Sequence, residues 1–310
     1  MQKHATLPAS LNSLVTHASQ PLNAASDALR AAGIEDPRLD AEVLLAEATG
    51  FDRSTFMSEP DAEVSPAAGR RFGEMVRRRL RREPVAYILG RKGFRHLEPA
   101  VDRRVLIPRP ETELLVELAL ELRPRRALDV GTGSGAIALS LADELPGCEV
   151  IATDTSPRAL EVARANAERL ALSDRVRFFE GTLPPLGTSL PTGGLQARPF
   201  GFDLVLANLP YVAERDWPSL QPEVTEWEPR EALLAGPDGL DAYRTFIPEC
   251  GRALASYRCL TSTTLAVEVG EGQAPAVAEL FGEAGFGAIE TRRDLAGIER
   301  VVLGQVKREE

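Results

Sequence analysis

Three places in this 310-residue sequence bring chemically useful residues to the end of an apolar run. In LDVGTGSGAIALSLA, Gly131, Gly133 and Gly135 separate a strand-like stretch from a helix-like one. Glycines there permit a tight turn and let the backbone come within contact distance of a ligand. About 20 residues further on, VIATD ends on Asp154, where a carboxylate can accept hydrogen bonds from both hydroxyls of a ribose. Ser156 is at least as good a cap for the helix beginning SPRAL, which leaves Asp154 for a ligand. An adenosine-bearing ligand follows, but its identity does not. Ala136 completes a G-x-G-x-x-A pattern, so a nicotinamide dehydrogenase fits these residues as well.

The third place is FDLVLANLPYVAE, in which a buried-strand pattern stops at Asn208-Leu209-Pro210-Tyr211. At the carboxyl end of the fourth strand of a doubly wound sheet, these residues would border the ligand crevice. A dehydrogenase has no evident use for them. They suit an NH2 group conjugated to a π system, either a carboxamide or an amino-base. The Asn208 side-chain oxygen and a backbone carbonyl can accept its two N–H bonds and so direct its nitrogen at an electrophile. Pro210 removes a competing donor and stiffens the turn, and Tyr211 can stack on the planar group. With a sulfonium methyl as electrophile, positive charge moves from sulfur to nitrogen, so oriented acceptors suffice and no strong base is demanded. The histidines, His4, His17 and His96, all precede the glycine-rich turn.

The elements that must hold these residues divide the chain in two. From Pro21 to about Leu97 the pattern is helical. Leu22, Ala25, Leu29 and Ala32 share one face of a helix stopping at Gly33, and Leu39, Val43 and Leu44 belong to a second stopping at Gly50. A third turns Phe72, Met75, Val76 and Leu80 inward and carries the arginine run Arg70–Arg82, either a solvated face or a contact for an acidic partner or for RNA phosphates. From Arg125 onward seven short apolar runs alternate with helical segments, predicting an open, mostly parallel α/β sheet. Only LAGI separates the last two runs, so they should form an antiparallel hairpin. Between the halves, AVDRRVLI suggests a small hairpin or linker. Pro110, Glu111 and Glu113 suit the first turn of the helix that follows. Residues 1–20 read as a flexible extension.

A net charge of −10 argues against a protein that coats nucleic acid by neutralising phosphates. Cys148, Cys250 and Cys259 lack metal-like spacing and suggest reduced thiols in a cytoplasmic protein, with no metal site expected. No apolar run reaches the length of a membrane span.

GTGSGAIAL, NLPYV, EPREALLAGPDGLDAYR, LAVEVGEGQ and DLAGIERVVLG resemble the bacterial release factor glutamine methyltransferases, the PrmC/HemK family. PRLDAEVLLAEATG, REPVAYILG and VLIPRPETELLV are similar to that family's helical domain and linker. The resemblance implies a Rossmann-like seven-stranded class I S-adenosylmethionine-dependent methyltransferase domain at 113–310. A helical-bundle substrate-recognition domain at 21–97 would precede it, with a linker at 98–112. It implies S-adenosyl-L-methionine as donor, S-adenosyl-L-homocysteine as product, and the glutamine of the Gly-Gly-Gln loop in class I peptide chain release factors as acceptor. By matched position, Gly131, Thr132, Gly133, Ser134 and Gly135 would hold the methionyl part and Asp154 the ribose. Asn208, Leu209, Pro210 and Tyr211 would bind the glutamine amide, with Asn208 also near the donor methyl. The chain departs from the family at Leu209, where a proline is commoner, and at Thr182-Leu183, where Asp-Trp usually touches adenine. A threonine hydroxyl can still accept from the adenine amino group, but the stacking surface is lost, predicting weaker donor binding there. A nucleic-acid amino-methyltransferase is the competing reading, and predicts a basic face beside Asn208. A nucleotide-dependent binding module without catalysis is the third.

Overall fold

The computed structural model describes residues 16–184, 201–256 and 263–306, which form two compact units. The first contains the residues up to Gly90 together with Gln221–Trp227. Its elements are β1 (Thr16–His17), α1 (Ser19–Ala31), α2 (Pro37–Thr49), α3 (Thr55–Ser58), β2 (Glu63–Val64), α4 (Pro66–Leu80), α5 (Val85–Leu89) and the short α9 (Pro222–Thr225). Residues 16–20, expected to be part of a flexible extension, are ordered: β1 pairs antiparallel with β2, and α1 begins before Pro21.

The helix ends follow from local chemistry. Ser65 Oγ accepts the Ala68 N–H and Pro66 occupies the first turn of α4, while α2 stops where Gly50 takes φ 77°. Leu22, Ala25, Leu29, Leu44, Leu45, Phe72 and Val76 form the core of this unit. The expected inward face of α2 is shifted: Leu44 is buried as expected, but Leu39 is 42% exposed, and Ala41, Leu45 and Ala48 complete the buried face.

The arginine run is divided in use. Arg79 is only 7% exposed; its Nε meets Asp40 at 2.6 Å and its Nη1 meets Glu223 at 2.6 Å. Arg82 also reaches Glu223, and Arg78 pairs with Glu83. Arg70, Arg77 and Arg81 remain exposed.

The second unit, Arg91–Leu220 with Glu228 onward, holds the seven-stranded sheet. Its strands are β3 (Arg126–Val130), β4 (Glu149–Asp154), β5 (Val176–Glu180), β6 (Leu204–Ala207), β7 (Thr263–Glu268), β8 (Phe286–Arg293) and β9 (Glu299–Val306), in the order β5-β4-β3-β6-β7-β9-β8. The first five are parallel, and β9 runs antiparallel to both β7 and β8, as the LAGI spacing predicts. Helices α6 (Glu113–Leu122), α7 (Ala136–Glu144), α8 (Pro157–Arg169), α10 (Asp241–Ser256) and α11 (Ala274–Glu283) cover the faces.

Strand alternation builds two cores. Leu204 and Leu206 pack with α6 and α7, while Val205 and Ala207 pack with α10 and α11. No helix among the described residues is long and apolar enough to cross a membrane. Antiparallel bridges join Arg91 with Ala100, the first residue of AVDRRVLI, and Phe94 with Leu97; the rest of the segment runs on as a linker. The segment is held by Glu228, whose carboxylate accepts the Ile107 N–H at 3.0 Å and pairs with Arg109. Cys148 and Cys250 are buried free thiols; Cys259 lies outside the described residues.

Candidate active site

The strand order reverses between β3 and β6, and their carboxyl ends lie side by side, with β4 next to β3. Gly131 follows β3, Asp154 ends β4 and Asn208 follows β6, so the sheet itself brings the three sequence clusters together. They border an open cleft within the second unit. Its walls include Gly131, Gly133, Asp154, Thr182, Asn208 and Pro210.

Gly131, Gly133 and Gly135 all adopt left-handed φ, of 73°, 56° and 86°. At Gly131 it is this left-handed backbone that calls for glycine, since a Cβ there would meet the Asn208 main-chain oxygen only at an ordinary 3.6 Å. Asp129, absent from the sequence-derived site, secures the turn from behind. Its Oδ2 accepts from the Thr132 hydroxyl at 2.6 Å and the Ala138 N–H at 3.1 Å, and burial pushes its carboxyl up to about 7. Thr132 and Ser134 are buried, with Thr132 turned to Asp129 and the Ser134 carbonyl accepting from Asn166. Neither they nor Gly135 line the cleft. Gly135 instead supports close packing, since its Cβ would lie 3.0 Å from Leu139.

Asp154 Oδ2 accepts the Gly133 N–H at 2.9 Å and Oδ1 accepts the Ser156 N–H at 2.9 Å. Ser156 Oγ, meanwhile, caps α8 through Ala159. Each carboxylate oxygen keeps a further lone pair, so the group can still accept from hydroxyls in the cleft. Burial raises its pKa, opposed by those two N–H bonds.

Asn208 continues the alternation of β6 and turns to the face occupied by α6. There its Nδ2 donates to Thr112 Oγ1 at 3.0 Å, just before that helix. One N–H of the amide is therefore committed inside the protein. Among the described residues Oδ1 has no hydrogen-bond donor, and it is the atom left for a ligand N–H.

Leu209 and Pro210 line the cleft; Tyr211 does not. The Tyr211 hydroxyl lies 3.5 Å from Glu268 Oε1, its carbonyl accepts from Gln273 Nε2 at 2.9 Å, and the residue packs against the β6–β7 core. Burial, aided by Glu268, pushes its phenol up to about 12, so it stays a neutral donor. The ring is half-buried and packs beside the β6–β7 core, off the cleft wall that Asn208 and Pro210 form. Leu183 also lies off that wall. It packs beside Leu128, Phe202, Val205 and Cys250, and only Thr182 of the pair reaches the cleft.

Arg104, Val105 and Leu106 complete the wall from the segment held by Glu228, and Arg104 is already paired with Asp102 and Glu161. Glu268 is the clearest omission of the sequence reading. A charged residue inside the apolar run TLAVEVG, where a lone buried charge is costly, was the signal for it.

The cleft fits an adenosine-bearing donor. The Asp154 carboxylate borders the cleft with lone pairs free for ribose hydroxyls, and Gly131 and Gly133 of the glycine turn line it with backbone. Residues 20–90 match the family described as the PrmC N-terminal domain, and residues 127–227 match a methyltransferase domain. A release factor glutamine methyltransferase of Caulobacter vibrioides is 40% identical over 285 residues, 91% of this chain and 93% of that protein. The protein of the same description from Geobacter sulfurreducens is 42% identical over 277 residues, 88% of this chain and 91% of that one. Among solved structures, the hMettl16 catalytic domain in complex with the MAT2A 3'UTR hairpin 6 superposes with a TM-score of 0.53. It is 16% identical and covers 69% of this chain and 77% of that one, a likeness of fold alone.

Proposed function

Because the chain belongs to the release factor glutamine methyltransferase family, we propose that it transfers a methyl group from S-adenosylmethionine to the side-chain amide nitrogen of a glutamine in its partner. The partner is a class I peptide chain release factor and the glutamine is that of its Gly-Gly-Gln loop. The observation that carries this reading is the orientation of the Asn208 amide: one N–H of its NH2 is held by Thr112, and Oδ1 is left without a donor among the described residues.

The donor supplies an electrophilic methyl on a positively charged sulfur. The protein's residues bind and orient. Asp154 accepts from the ribose hydroxyls, and the open backbone at Gly131 and Gly133 leaves room for the methionyl part. Thr182, on the cleft wall, would face the adenine. Asn208 Oδ1 and a main-chain carbonyl of the 208–210 turn accept the two amide N–H bonds, which turns the nitrogen toward the methyl. As positive charge grows on that nitrogen, the same two acceptors stabilise it, and one proton leaves to the water of the open cleft.

A protein acceptor is favoured over nucleic acid by the state of the cations. Arg104 of the cleft wall is paired with two carboxylates, and Arg78, Arg79 and Arg82 of the arginine run are paired inside the first unit. The exposed Arg70, Arg77 and Arg81 are offered to the release factor, and the setting is the cytoplasm.

Labelled donor incubated in parallel with release factor, ribosomal protein and RNA tests the reading. Label on the release factor is expected. Label on RNA alone, or on the ribosomal protein alone, contradicts it.

A further inference from the structure

Beneath the Asn208 amide runs a chain of polar side chains set back from the cleft. The Thr112 hydroxyl accepts from Asn208 Nδ2, and it lies close enough to the Glu268 carboxyl to favour its ionised form. Glu268 Oε1 in turn stands 3.5 Å from the Tyr211 hydroxyl. Thr112 is 4% exposed and Glu268 is 1% exposed, and neither lines the cleft. The second Glu268 oxygen, Oε2, meets no donor among the described residues. A carboxyl buried with half its acceptors unused is costly to the fold, so packing gives no account of its presence.

Hydrogen-bond direction supplies one. We infer that Thr112 and Glu268 are positioning residues: acting through the Thr112 hydroxyl, the Glu268 carboxylate decides which end of the Asn208 amide faces the acceptor nitrogen. The inference rests on the methyl-transfer reading above and goes beyond the residues that bind donor or acceptor.

An ionised carboxylate can only accept, so it takes the Thr112 hydroxyl proton. Thr112 is then left with lone pairs toward Asn208, and only the amide N–H end can satisfy them. Oδ1 is thereby turned to the cleft. A neutral Glu268 can instead donate to Thr112 and free the hydroxyl proton for Asn208 Oδ1. The amide then turns over and sets its NH2 against the NH2 of the acceptor, donor against donor.

The groups around Glu268 set its charge. Glu111 faces it from the turn before α6, Tyr211 from the loop after β6 and Arg300 from β9, while the Tyr243 hydroxyl of α10 donates to its main-chain oxygen at 2.7 Å. Arg300 is itself paired with Asp294. Burial, the largest influence, pushes the Glu268 carboxyl up to about 7, which places the change of state in the neutral range.

The test compares wild type, Thr112→Val, Thr112→Ser and Glu268→Gln in the full chain, with labelled donor and release factor. Thr112→Val should lower kcat about tenfold, the factor one hydrogen bond supplies, with KM for the donor unchanged. Thr112→Ser should recover activity to within about twofold, because it keeps the hydroxyl. Wild-type kcat should fall as pH drops from about 8 to 6, and this acid limb should vanish in Glu268→Gln. In the donor-free protein, the Asn208 side-chain amide protons should exchange slowly in wild type and Thr112→Ser and rapidly in Thr112→Val. Thr112→Val at wild-type kcat, Thr112→Ser as impaired as Thr112→Val, or an unchanged pH profile in Glu268→Gln overturns the inference. If wild type methylates nothing, the proposed function fails while the exchange measurement still decides the relay.

Discussion

Gly239 never borders the cleft, yet replacing it with alanine should disable the clamp. Its φ is +80°, and a Cβ there would stand 2.3 Å from the Tyr211 carbonyl oxygen, 2.8 Å from Gln273 Nε2 and 3.0 Å from the Ala213 nitrogen. The nearest contact is backbone, so no rotamer relieves it. The left-handed conformation costs an alanine about 1 to 2 kcal/mol. Moving the Tyr211 carbonyl by about 1 Å to an ordinary contact also breaks its bond with Gln273 Nε2, worth about 1 kcal/mol. Together these give a destabilisation of about 2 to 3 kcal/mol, before any repacking. The same displacement is carried through Pro210 to Asn208, and a misplacement of about 1 Å can cost about 100-fold in rate. Urea unfolding measures the first quantity and methyl transfer to release factor the second. Wild-type stability together with wild-type kcat in Gly239→Ala would refute the close approach from which both figures are worked.

Two further outcomes follow from the buried charges. Glu223→Gln leaves Arg79 and Arg82 without their shared carboxylate and should destabilise the first unit by about 3 kcal/mol. Hydrogen exchange of the α4 amides should accelerate while the β3 and β4 amides keep their protection; unchanged exchange in α4 contradicts the pairing. For Glu268 the sign is set by a folded-state pKa of about 7 against an ordinary 4.5. The folded chain holds this proton more tightly than the unfolded one, so the stability it contributes is full below about pH 4.5 and is lost as pH rises through about 7. Relative to Glu268→Gln, which stays neutral, wild type should lose up to about 3 kcal/mol between pH 4.5 and 8, read from denaturant midpoints at each pH. A constant difference across that range would mean Glu268 titrates normally. The form that orients Asn208 is thus the form that weakens the fold, the usual tension at a functional site.

What the sequence made legible were features written in local pattern. Alternation and spacing placed all seven strands, the final hairpin, the glycine turn and the strand-end positions of Asp154 and Asn208. Side-chain direction beyond a strand end was not local. Leu183 follows Thr182 directly, yet Leu183 packs beside the core and Thr182 reaches the cleft. Tyr211 looked available for stacking, but its surroundings are set by Glu268 and Gln273, 57 and 62 residues away. Thr112 lies 96 residues from Asn208, and no period or motif joins them until β6 is laid beside β3. Arg79 resembled its exposed neighbours in sequence. Its partner Glu223 is 144 residues distant, so the ion pair that buries it was invisible.

The most direct measurement is fragment mass analysis of release factor after reaction with wild type and with Asn208→Ala. A single methyl group on the glutamine of the Gly-Gly-Gln loop, present with wild type and nearly absent with Asn208→Ala, is the predicted result. A methyl group on another residue, or equal methylation by Asn208→Ala, would contradict the account.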